Sequence, residues 1–245
     1  MTILNAGAAG ITGLTYDGVD LTQTFTVVDI DIQPLPTVKA ITQDLAQRAG
    51  SYFVRQKIGT RTVKVTLGLN AESRDPMAIY KAFRPYAYLV NKSQPKQLKL
   101  NETTYLNAIL SGTSSMSEVA YWGKFTITFT AFDPYFYGAT KTTSLSNNTA
   151  KSVTVSGACN VWPVFTVTTS STSVTITNVT TGEYVNIPNL TSGATLVVDM
   201  GKQLSTVNNN YTPVTLASTY FDLEGTMSVK VQGGTASMVY VERWL

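Results

Sequence analysis

Alternation of large apolar with small polar residues at a period of two is the feature that most limits how this chain can fold. In Phe125-Thr126-Ile127-Thr128-Phe129-Thr130 every second side chain is large and apolar, the pattern of a strand with one buried face. The same period runs through Val63, Val65, Leu67 and Leu69, and through Phe25, Val27, Ile30 and Ile32 with an irregularity at Val28, where an extra residue forms a bulge. The run at Phe125 ends in Ala131-Phe132-Asp133-Pro134-Tyr135-Phe136-Tyr137-Gly138. Pro134 removes a ladder donor and biases Asp133 away from helix. Tyr135, Phe136 and Tyr137 then present apolar surface that needs cover, and Gly138 lets the chain turn away.

Elsewhere in the first half, runs at 52–58 and 62–69 flank Gly59-Thr60 and predict a hairpin. Strands are also expected at 98–100, 105–110 and 119–132, and the small, Gly-rich first fifteen residues form an arm. One helix is expected: Asp75 can cap it, Pro76 suits its first position, and Met77, Tyr80 and Phe83 fall at helical spacing as its core face. Pro85 ends it near Arg84. After Gly138, short Thr-rich strands are expected at 152–155, 163–168, 173–178, 184–187, 195–199, 215–221, 227–231 and 238–241. Such spacing, with Gly or Asn between the runs, suggests a β-sandwich. The fold class is therefore mainly β: a β-rich first domain with one helix, residues 1–138, followed by a β-sandwich, residues 139–245.

Composition agrees and also excludes chemistry. Charged residues make up only 13% of the 245-residue chain, well below the usual quarter, so Ser, Thr, Asn and Gln must cover its surface, which suits strands and turns. With no histidine, imidazole bases, imidazole metal ligands and a Ser/His/Asp triad are excluded. Cys159 is the only cysteine, so no intrachain disulfide or thiolate zinc site can form; it is read as a small buried residue and not a reactive thiol. No phosphate loop, dinucleotide fingerprint or metal spacing is found, and no cofactor is expected. Asp29-Ile30-Asp31 is the nearest thing to a carboxylate pair, but it lacks the glycine and terminal glutamate of a calcium loop and reads as edge charge. Trp162, Tyr184, Tyr211 and Tyr220 are candidates for a sugar-stacking platform, set against a core or rim role. The first residues lack the marks of a signal peptide and no apolar run reaches the length of a membrane span, so no membrane partner is expected.

Charge is segregated within the first half. Asp17, Asp20, Asp29 and Asp31 form an acidic stretch without a basic residue, whereas residues 39–99 hold twelve Lys or Arg against Asp44, Glu72 and Asp75. Aromatics interleave with these cations, but a net charge of +3 and the lack of a nucleic-acid module count against sequence-reading.

Arg48-Ala49-Gly50-Ser51, Arg61-Thr62-Val63-Lys64-Val65, the single helix and the Asp133-Pro134-Tyr135 stretch, in that order, resemble the distal tail proteins of long-tailed, non-contractile phages. Val161-Trp162-Pro163-Val164-Phe165, Val174-Thr175-Ile176-Thr177-Asn178, Tyr220-Phe221-Asp222-Leu223 and the final Arg243-Trp244-Leu245 are similar to that family's galectin-like sandwich. The resemblance implies a structural virion protein at the distal tail tip and no enzyme. It further implies a homo-hexameric ring joining the major tail-tube protein to the tail-associated protein. Genomic DNA passes through the bore without sequence-specific contact, and in some members the second domain carries receptor-binding proteins. A ring of identical copies needs two different patches that meet, so the acidic stretch Asp17 to Asp31 is expected to face part of the basic stretch Lys39 to Lys99 of the neighbour, with Asp29, Asp31, Arg48, Arg55, Lys57 and Arg61 as the candidates; the competing reading turns those basic side chains toward the bore and the DNA. Asp133, Pro134, Tyr135, Phe136 and Tyr137 become the interdomain seam. The competing classes are a glycan-binding adhesin module of two β-sandwiches and a hydrolase using Asp or Glu, for which no pair stands out.

Overall fold

The structure is a computed structural model that describes residues 13–44, 46, 49–69, 75–100, 103–113 and 124–245. Arg48, most of the N-terminal arm and the first residues of the strand expected at 119–132 lie outside the described residues. The chain divides into two compact units, Met1–Phe136 with Leu245, and Tyr137–Trp244.

Unit one contains β1 (Thr15–Tyr16), β2 (Val19–Asp20), β3 (Phe25–Ile32), β4 (Val38–Asp44), β5 (Ser51–Ile58), β6 (Arg61–Leu69), α1 (Pro76–Phe83), β7 (Lys96–Lys99), β8 (Tyr105–Thr113) and β9 (Lys124–Ala131). Antiparallel pairing runs β3-β6-β9-β8-β7-β1-β2, with β8 meeting β7 along its first residues and β9 along its last. The alternation places Val63, Val65 and Leu67 of β6 and Phe125, Ile127 and Phe129 of β9 in the core, while Thr66 and Thr126 hydrogen-bond through their hydroxyls at 3.1 Å on the other face. The register of β3 against β6 shifts between Val27 and Asp29, so Val28 is the bulge.

Two local expectations for unit one are corrected. β5 does not pair with β6; it forms a separate two-stranded sheet with β4. β6 carries a continuous apolar face that must be covered on both flanks by β3 and β9, whereas β5 has no buried position to offer. The helix is capped as expected, with Met77 N–H donating to Asp75 Oδ1 at 3.0 Å, but its core face differs. Ile79 is buried and Ala82 and Phe83 pack against the core, whereas Met77 and Tyr80 are about half exposed. Two steps of three residues leave Phe83 about 120° around the helix from Met77, so only one end of that triplet can face inward. Phe83 does so, meeting Phe25 and Phe125 with ring centroids at 5.9 and 5.4 Å.

Unit two adds β10 (Phe136–Leu145), β11 (Ala150–Thr154), β12 (Val164–Thr169), β13 (Val174–Asn178), β14 (Tyr184–Ile187), β15 (Thr195–Asp199), β16 (Leu204–Val207), β17 (Asn210–Tyr211), β18 (Thr226–Gln232) and β19 (Gly234–Trp244). They form two sheets, ordered β17-β16-β15-β12-β19-β10 and β11-β18-β13-β14. Phe165, Val167, Leu196 and Val198 from the first meet Val174, Ile176, Val185, Val229 and Val231 from the second in one core, which makes a sandwich. Residues 215–221 are not a strand. They follow the edge of β14, with Thr215 N–H donating to Asn186 O and Thr219 N–H to Tyr184 O. Gly138 does not turn the chain either: it lies inside β10, where a Cβ would stand 2.9 Å from the Trp244 ring. Small size at this position serves a close approach.

Candidate assembly interface

The β4–β5 hairpin has no buried residue. Val38, Tyr52, Phe53, Val54 and Ile58 are between 39% and 58% exposed, although a hairpin alone is marginally stable in water. Cross-strand register divides its side chains into two faces. Val38 pairs with Ile58 and Thr42 with Phe53 on one; Lys39 pairs with Lys57 and Ile41 with Arg55 on the other. The first face mixes Val38, Ile58 and Phe53 with Gln56, Thr42, Asp44 and Ser51. The second sets two like charges directly opposite, which is unfavourable, and adds the Arg55 guanidinium beside them.

The counter-charge lies on β3. Asp29 and Asp31 alternate with buried Ile30, so both carboxylates share the outward face of the strand. Among the described residues β3 pairs only with β6, and Asp29 Oδ1 is buried without a hydrogen bond. The remaining acidic residues of that stretch are already used within the protomer. Asp17 binds Lys92 at 2.7 Å and Lys96 at 3.7 Å, and the Lys92 hydrogen bond holds its carboxyl below the ordinary range. Asp20 accepts from the Thr22 N–H and hydroxyl. Of the acidic stretch 17–31, therefore, Asp31 is the exposed carboxylate, and Asp29 beside it is half-buried.

Among the expected basic partners, Arg55 and Lys57 are exposed on β5, and Arg48 lies outside the described residues. Arg61 is corrected. It is 2% exposed, its guanidinium lies 4.7 Å from the Phe136 ring centroid, and burial pushes its pKa below the ordinary value. A side chain enclosed in its own protomer presents nothing to a neighbour. Its partner Phe136 packs against the core of unit one. Pro134 is buried, and Asp133, Tyr135 and Tyr137 are half-buried.

On unit two, Tyr137, Trp162 and Arg243 line a cavity of about 250 Å³. The Arg243 guanidinium lies 4.4 Å from the Trp162 ring, and its Nε donates to Asn160 O at 2.6 Å. The proposed sugar-stacking aromatics are not gathered on one sheet: Tyr184 is on β14, Tyr211 on β17, and Tyr220 packs against the core. Cys159 is free and half-buried. Sequence reading missed the Lys141–Glu242 pair, in which Lys141 Nζ donates to Glu242 Oε1 at 2.6 Å, joined by the Ser156 N–H at 2.8 Å. It also missed β4, whose only local signal is the β-branched content of Val38, Ile41 and Thr42.

A mainly β chain with a helix-bearing first unit, an acidic strand, a basic hairpin and a second sandwich has the parts of an assembly protein. Residues 16–131 match the phage tail protein RIFT-related domain family, and residues 156–244 match the siphovirus-type tail component, C-terminal domain, family. The two matches together cover most of the chain, which belongs to the siphovirus-type tail proteins. It is a distal tail protein, a structural component of the virion at the distal end of the tail. The crystal structure of the SPP1 Dit protein, described as a paradigm of the hub adsorption apparatus in phages infecting Gram-positive hosts, has the same fold. It is 16% identical with a TM-score of 0.78, over 95% of this chain and 99% of that one. A chain of the phage P2 baseplate in its activated conformation with Ca is 8% identical with a TM-score of 0.47, over 93% of each chain. No curated protein matches the sequence. The family match sets aside the two-sandwich adhesin.

Proposed function

We propose that copies of this chain close a hexameric ring between the last tail-tube ring and the tail-associated protein, with the genome passing through the bore without sequence-specific contact. Unit two serves as a platform for receptor-binding proteins, and the chain performs no catalysis. Asp133, Pro134, Tyr135, Phe136 and Tyr137 carry the passage from the ring-forming unit to the platform. The observation that carries this reading is the placement of two tail-protein family matches end to end, one on each compact unit. The relative of the same fold is described as part of a hub adsorption apparatus, and a hub needs subunits that assemble through unlike patches. Unit one offers such a pair in its basic hairpin and its acidic strand.

Electron microscopy of tails carrying a label at the C-terminus of this chain tests the placement. The expected image shows label confined to the distal tip with sixfold multiplicity. Label along the tube, or another multiplicity, overturns the ring.

A further inference from the structure

We infer that Arg61 holds a small inorganic oxyanion, of the phosphate or sulfate class, inside unit one. Arg61 opens β6 on the strand's core face, in line with buried Val63, Val65 and Leu67, and is itself 2% exposed. Its guanidinium keeps its proton, and a buried cation is tolerated when something pairs with it. None of the ion pairs among the described residues includes Arg61. The Phe136 ring covers one face of the guanidinium, 4.7 Å from its centroid. A ring face attracts the charge, but it takes none of the N–H groups that lie in the guanidinium plane.

The in-plane donors define the ligand. Nε and Nη2 are both buried and have no acceptor among the described residues. These two atoms share one edge of the guanidinium, the fork that grips two oxygens of a single anion at once. A water offers one oxygen and no charge, so it meets half of the fork and leaves the cation uncompensated. A tetrahedral oxyanion meets both donors and the charge. The surroundings supply no rival. Opposite Arg61 on β9 stands Ala131, fully buried and bearing only a methyl, and Gln33 Oε1 already accepts from the Thr62 N–H at 3.1 Å. Burial lowers the Arg61 pKa, in keeping with a charge that its own protomer does not neutralise. A side chain this enclosed is out of reach of another protein, so the ligand is a free ion. The site lies within one protomer and does not depend on the ring. Its occupancy fixes Arg61 against Phe136, the residue that closes the 1–136 segment of unit one.

Thermal unfolding of the full chain tests the site, in sodium chloride and in sodium phosphate at equal ionic strength and pH. The parent is expected to gain on the order of 5 °C in Tm for each tenfold rise in phosphate above its Kd, and Arg61→Met to gain nothing. In chloride, Arg61→Met is expected to match or exceed the parent, because an apolar side chain of similar length removes an uncompensated buried charge. Arg61→Lys keeps the charge without the fork and is expected to need roughly tenfold more phosphate for the same gain; it supplies the comparison should Arg61→Met fail to fold. Equal gains in the parent and the variants mean an adventitious ion only and overturn the site. No gain in the parent, with Arg61→Met unchanged in chloride, means that ordered water fills the fork. No gain, with Arg61→Met strongly destabilised, means that a carboxylate of the chain fills it. Either result overturns the proposal.

Discussion

Replacing Gly233 by Ala is expected to destabilise unit two by about 3 kcal/mol, as the conformational cost at this position adds to a backbone clash. The same change at Gly193 is expected to cost only about 1 kcal/mol. Both glycines have positive φ, 92° and 83°, where an L side chain costs ~1–2 kcal/mol, partly offset by a stiffer unfolded chain. They differ in what a Cβ would meet. At Gly193 nothing lies within 4 Å; at Gly233, in the turn from β18 to β19, the added atom would overlap the Ser173 carbonyl oxygen and approach Val174 Cα to 3.3 Å. That obstacle is backbone at the head of β13 and cannot rotate away. The turn cannot retreat freely either, because its N–H donates to Asn147 Oδ1 at 2.9 Å and its carbonyl accepts from Ser170 N–H at 2.8 Å. Overpacking of this kind adds about 1–3 kcal/mol. For a domain of this size each kcal/mol lowers Tm by about 4–8 °C, so calorimetry of the full chain should show a shift at Gly233→Ala roughly three times that at Gly193→Ala. Equal shifts would refute the contribution of the clash.

Two further predictions address single interactions. Burial alone raises the Glu242 carboxyl, but hydrogen bonds from Lys141 and the Ser156 N–H outweigh it and hold the pKa below its ordinary value. Its stabilisation is therefore present above about pH 4.3, the ordinary glutamate value, and is lost as pH falls through the depressed folded value. Urea midpoints of the parent chain and Glu242→Gln should differ at neutral pH and converge on acidification, and a gap independent of pH would contradict this. Asp75→Ala removes the acceptor for Met77 N–H and should cost about 1 kcal/mol. Faster amide exchange in the first turn of α1 is the expected readout, and unchanged exchange there would show that the cap contributes little.

Strand faces, the bulge at Val28, the helix start at Asp75 and the sandwich character of the second half were legible in the sequence, because each depends on residues a few positions apart: alternation, a cap, a turn. Partner choice was not legible. β5 looked as ready to pair with β6 as with β4, since a two-residue link such as Gly59-Thr60 is a hairpin signal whatever the rest of the sheet requires. Residues 215–221 carried strand-like residues but spent their backbone hydrogen bonds along β14. Charge segregation was legible, but not which of the charges are used within the protomer: Asp17 and Asp20 are committed to Lys92, Lys96 and Thr22, and Arg61 to the core beside Phe136. That Gly138 is small to admit Trp244 was decided by a residue more than a hundred positions away. By itself, the sequence determined which faces had to be buried, a local consequence of period and polarity. Only the tertiary structure decided what buries them and which charges are left over for a neighbour, because that depends on partners distant in the chain.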